Sequence, residues 1–95
     1  MTPEDEVRRG GDAARLLRDA IYNEAHTAIR ERLVSLLEQD IEPDKRNRVN
    51  DDIRALSRVR KYIEQIAMGG KMAAEQIERD RTFRERVQDR IRGAA

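Results

Sequence analysis

His26 is the only histidine in this 95-residue chain, and there is no cysteine. Metal ligation or general acid–base work would need further imidazole, thiolate or clustered carboxylate partners. His26 follows the apolar Ala25 and sits at the edge of a helical stripe, which makes it a boundary residue rather than a ligand. Asp51 and Asp52 are adjacent, so on a helix they point in different directions and do not form a carboxylate pair. Gly69-Gly70-Lys71 lacks the flanking spacing of a phosphate-binding loop, and no dinucleotide-binding or nucleophile-elbow glycine motif occurs. No catalytic residue, cofactor or metal is expected, and the chain does not read as an enzyme.

The basic residues are the chemistry that remains. Arg54, Arg58 and Lys61 are spaced to share one helix face, and a row of bases at that spacing can contact nucleic-acid phosphates. A solvated face answering an acid-rich neighbour is the simpler reading of the same row. Near the C-terminus Arg79, Arg81, Arg84, Arg86, Arg90 and Arg92 alternate with Glu78, Asp80, Glu85 and Asp89. Of these, Arg84, Arg86 and Arg90 are the candidate phosphate contacts. The strong preference for Arg over Lys suits bidentate contact with carboxylate or phosphate. Aromatic residues for stacking single strands are missing, and no turn has helix-turn-helix spacing.

The elements that carry these residues follow from periodicity. One apolar stripe runs through Leu17, Ile21, Ala25, Ala28, Ile29, Leu33, Leu36 and Leu37; a second runs through Val49, Ile53, Leu56, Val59, Ile63 and Ile66. Both recur every three or four residues, the mark of an amphipathic helix. The predicted fold is all-α: a long antiparallel helical hairpin with helices over 12–39 and 44–68, joined near Pro43. Leu17, Ile21, Ile29, Leu33, Leu37, Val49, Ile53, Leu56, Val59, Ile63 and Ile66 form its seam, within the hairpin or between copies. Residues 12–42 hold seven acids and four arginines, and residues 45–61 seven bases and two acids, so the two arms are complementary in charge.

Around this hairpin lie two accessory segments. Thr2, Pro3, Glu4 and Asp5 have the chemistry of a helix start, but Gly10 and Gly11 predict that residues 1–11 stay a flexible arm or short helix. Gly69 and Gly70 are expected to end the second helix by supplying a left-handed cap. Beyond them, residues 71–92 form a short amphipathic tail. Thr82 and Glu85 make a capping-box pattern, so residues 71–80 and 83–92 read as two short helices or as one helix kinked near 80–82.

Composition bounds the partners. With 41% charged residues, 3% aromatics and only 20 Leu, Ile, Val and Phe, a two-helix hairpin has little private core. Burial against copies of itself or a partner is therefore expected, with a homo-oligomer the leading state. There is no run of 18 apolar residues, so no membrane span is expected, and Met1–Gly11 has no apolar core of a secretory signal. The expected location is a host cytoplasm or a virion.

The order of short motifs adds a resemblance. Arg9-Gly10-Gly11-Asp12-Ala13 precedes Leu16-Leu17-Arg18-Asp19; then come Glu24-Ala25, Ile53-Arg54-Ala55-Leu56 and Gly70-Lys71-Met72-Ala73. Across residues 9–76 this resembles short, mostly uncharacterised helical proteins encoded near the packaging and head genes of tailed bacteriophages and prophages. The resemblance implies a non-enzymatic, small-terminase-like packaging factor or structural adaptor. Its partners would be the packaging motor, capsid or portal proteins, with DNA reached through the basic faces. Those relatives often carry an aromatic residue after the first helix, where Leu36 and Leu37 stand here. Two other readings use the same surfaces: a small protein-binding inhibitor of a host system, and a nucleic-acid-binding accessory protein.

Overall fold

The structure, a computed structural model, describes residues 1–94. It is all-helical, with three helices: α1 (Pro3–Arg18), α2 (Ala20–Leu37) and α3 (Pro43–Ala94). The molecule is a rod of 81 × 25 × 20 Å. At 1.5 Å per residue α3 alone is about 78 Å long, so this one helix sets the length of the molecule.

α1 starts where the sequence said a helix would start. Thr2 is the N-cap; its hydroxyl accepts from the Asp5 amide at 3.1 Å while the Asp5 carboxylate accepts from the Thr2 amide at 3.3 Å. Pro3 occupies the first turn, with Glu4, Asp5 and Glu6 at the positive end of the helix dipole. Replacing Thr2 with Ala removes the cap. About 1 kcal/mol of stability should be lost with it, read as a lowered thermal midpoint.

The helix does not stop at Gly10 and Gly11. Residues 1–11, expected as an arm or short helix, are the first half of α1, and the reason is tertiary. A Cβ on Gly10 would lie 2.6 Å from the Gly70 Cα, and a Cβ on Gly70 would lie 2.8 Å from the Glu6 carbonyl oxygen. The two backbones touch here, which only glycine allows. Ala13 and Ala73, three residues on, are both buried beside the crossing. Gly70 therefore serves close approach, not termination. No glycine has a positive φ, so neither Gly69 nor Gly70 is a left-handed cap, and helix 44–68 and tail 71–92 are one continuous helix. The expected kink at 80–82 is likewise absent: the Thr82 hydroxyl donates back to the Glu78 carbonyl at 2.9 Å inside the helix instead of capping a new one.

The break falls elsewhere, at Asp19, inside the expected helix 12–39. Asp19 is extended (φ −67°, ψ 127°), ends α1 and caps α2, its carboxylate accepting from the Tyr22 amide at 2.8 Å. Asn23 ties the joint together, its side-chain amide donating to the carbonyls of Leu17 and Asp19, each at 2.9 Å. Past Leu37 the chain turns, and Pro43 opens α3 as its sequence position predicts. From α3, Arg46 donates to the Leu37 carbonyl at 3.0 Å and the Gln39 carbonyl at 3.2 Å, placing a cation at the negative end of α2.

Cross-helix contacts run in descending order along α3: Gly10 meets Gly70, Asn23 meets Arg60, and Leu37 meets Arg46. α1 and α2 thus lie in tandem against one side of α3. Pro3 and Glu4 reach the stretch around Ile77, Asp80, Arg81 and Arg84. From Phe83 to Gly93 every residue is exposed.

Candidate assembly surfaces

Among the described residues the buried apolar ones are Ala13, Val49 and Ala73, and no large side chain is fully enclosed. Of the expected seam, Val49 is buried, whereas Leu17, Leu33, Leu37, Ile53, Leu56, Ile63 and Ile66 are half-buried between α3 and its neighbours. Ile21 (70% exposed), Ile29 and Val59 stand open and do not belong to an internal seam. For Ile21 and Ile29 the reason is the break at Asp19, which restarts the helix and sets the faces of α2 independently of those of α1; Val59, on α3, lies at the edge of its own stripe.

Between α2 and α3 the contact is partly polar. Arg60 donates to the Asn23 side-chain oxygen at 3.1 Å, lies 5.9 Å from the Tyr22 ring centre, and pairs with Glu64 at 3.3 Å. His26 sits beside Tyr22, ring centres 6.3 Å apart. The Tyr22 hydroxyl and His26 Nε2 are enclosed there without a hydrogen-bond partner. Sequence reasoning placed His26 at the stripe boundary but missed Tyr22, Asn23 and Arg60; the signal was a Tyr and an Asn three and four residues after Asp19, which can cap a helix.

Charge complementarity between the arms does not become ion pairing. Among the described residues, the ion pairs join residues three or four apart on one helix, such as Arg8–Asp5, Arg15–Asp12 and Arg54–Asp51. Glu78 and Glu85 both pair with Arg81. The hydrogen bond and charge of Glu78, and then the charge of Glu85, hold the Arg81 guanidinium above its ordinary, already high value. Exposed pairs of this kind are screened by solvent and add little to stability.

The basic candidates fall into two sets. Arg54, Arg58 and Lys61 are exposed beside α2, and Arg84, Arg86 and Arg90 are exposed on the uncovered end of α3. Twenty-three residues of continuous helix separate Lys61 from Arg84, about 35 Å, so they are not one patch. Among the described residues, no group of three His, Cys, Asp or Glu side chains could hold a metal, and no helix is long and apolar enough to cross a membrane.

Apolar side chains remain open on several faces, Val59, Tyr62, Met68 and Met72 along the middle of α3 among them. On α2, Ile21, Ala25, Ala28 and Ile29 are exposed along one side; on α3, Phe83 (68% exposed), Val87 and Ile91 form a ridge on the end that no other helix reaches. The total accessible surface is 7822 Å². A globular monomer of this mass exposes about 5,700 Å². No family model, no curated protein and no solved structure matches this chain.

Proposed function

We propose that this chain is a non-enzymatic, self-assembling helical protein of a phage or prophage, acting in DNA packaging or virion assembly as a small-terminase-like component or structural adaptor. The observation that carries self-assembly is the open apolar surface: Ile21, Ile29, Phe83, Val87 and Ile91 are exposed on a molecule whose buried apolar residues are two alanines and a valine. The surface excess of roughly 2,000 Å² over a globular monomer is the size of patch that obligate assemblies cover. The phage setting rests on the motif order over residues 9–76. A scaffold role needs only shape, apolar area and charge, which these helices supply.

Light scattering coupled to size exclusion, at low and high salt, tests this. A discrete mass of several chains, retained at high salt because apolar contacts hold it, is the expected result. A mass of one chain across the accessible concentration range would overturn self-assembly. Another protein would then have to supply the missing cover, as in the inhibitor reading. If the oligomer forms, co-purification with packaging or head proteins from infected cells tests the setting.

A further inference from the structure

We infer that the chain assembles head to tail: the uncovered end of α3 from one copy docks on the open face of α2 in the next. This rests on the self-assembly proposed above and specifies its contact. The two surfaces match in three respects.

Length is the first. Ile21, Ala25 and Ala28 span seven residues of α2, about 10 Å of rise; Phe83, Val87 and Ile91 span eight residues of α3, about 12 Å. Shape is the second. Ala25 and Ala28 make the α2 stripe shallow, so a helix bearing the large Phe83 can seat between Ile21 and Ile29.

Charge is the third, and it selects the partner. By helical spacing Arg79, Arg86 and Arg90 run along one flank of the Phe83–Val87 ridge, and Arg84 lies on the other. All four are exposed, and among the described residues none of them has an ion pair. Two such ends packed antiparallel on each other would bring Arg84 near its own copy on one flank and Arg86 near its own copy on the other. Like charges in those positions oppose pairing. On α2, Glu24 and Glu31 run along one flank of the Ile21–Ala25–Ala28 stripe, seven residues apart, the same interval that separates Arg79 from Arg86. Both glutamates are exposed and neither has an ion-pair partner among the described residues. An arginine row and a glutamate row of equal pitch, each beside an apolar strip, are complementary to each other; Arg32, exposed four residues past Ala28, marks the end of the α2 strip.

Area agrees. A stable contact needs about 800 Å² from each partner. The excess surface of roughly 2,000 Å², spread along the rod, is large enough for two such patches per chain, as a head-to-tail contact requires. A contact between two different patches does not close on itself in a pair; it continues to a ring or a filament.

The test uses two variants of the full chain, each blocking one patch. Phe83→Asp blocks the end of α3, and Ala25→Arg blocks the α2 stripe. Both sites are exposed, so the helical circular dichroism of each variant should equal that of the parent. Each variant alone is expected to run as a single chain. An equimolar mixture is expected to form a one-to-one complex of two chain masses and nothing larger, because one good α3 end and one good α2 face remain. A charge swap gives an independent arm: Arg79→Glu with Arg86→Glu, mixed with Glu24→Arg with Glu31→Arg, should assemble more than either alone. A mixture that stays monomeric, or a single variant that keeps the parental mass, overturns the head-to-tail contact while leaving self-assembly standing. A parent protein that is itself monomeric overturns both.

Discussion

Gly70→Ala should destabilise the protein, and Gly69→Ala, one residue earlier, should stabilise it. Alanine is the better helix former by about 1 kcal/mol at an interior position, and both glycines lie in the middle of a 52-residue helix. At Gly69 a new Cβ meets nothing within 4 Å, so the helix preference is realised in full. At Gly70 the same methyl would come 2.6 Å from the Gly10 Cα and 2.8 Å from the Glu6 carbonyl oxygen. Both are backbone atoms and cannot swing aside, so α1 must lift off α3. Overpacking of this kind costs roughly 1–3 kcal/mol, which outweighs the preference. Thermal or urea unfolding of the two variants should therefore move in opposite directions. Equal shifts of one sign would mean that α1 does not cross α3 at this point.

The second large effect separates folding from assembly with one substitution made twice. Val49 is only 5% exposed and Ile21 is 70% exposed. Val49→Asp forfeits an apolar side chain in the α3 contact and buries a carboxyl with no partner, a loss of at least about 3 kcal/mol. Helical circular dichroism should fall at moderate temperature. Ile21→Asp puts the same group into water on the open face of α2, so helix content should hold while the mass measured by light scattering drops. Loss of helix in the Ile21 variant would place that residue in the core of a single chain.

Much of the helical content could be read from the residues, and the places where reading failed share a cause. The start at Thr2-Pro3, the turn before Pro43 and the two apolar stripes are local signals, written in capping chemistry and three-to-four spacing. The role of the glycines is not local. A Gly pair inside a run of good helix formers signals termination if nothing is near it and a crossing if another backbone is. The partner, Gly10, lies sixty residues from Gly70. One hint was present: Gly10-Gly11-Asp12-Ala13 and Gly70-Lys71-Met72-Ala73 share a glycine followed three residues later by alanine, the spacing that lines one face with small groups. The break at Asp19 was hidden for the opposite reason. Its flanks keep helical periodicity, and only the ability of Asp19 to cap and of Asn23 to bind the freed carbonyls marks the joint. Of the assembly surfaces, Phe83, Val87 and Ile91 were legible as an amphipathic face. Their exposure was not, since it depends on how far α1 reaches along α3.

That reach is fixed by the glycine contact, which acts as a register pin. Sliding α1 by one turn would bring Glu6 or Ala14 to the place of Gly10, and sliding α3 would bring Ile66 or Ala74 to the place of Gly70. Each alternative puts a side chain where two backbones touch. The amount of α3 left bare is thus specified some thirteen residues before the bare segment begins, by where a pair of hydrogens stands in for side chains. Moving that pair by one heptad would lengthen or shorten the free end by about 10 Å without altering a residue within it.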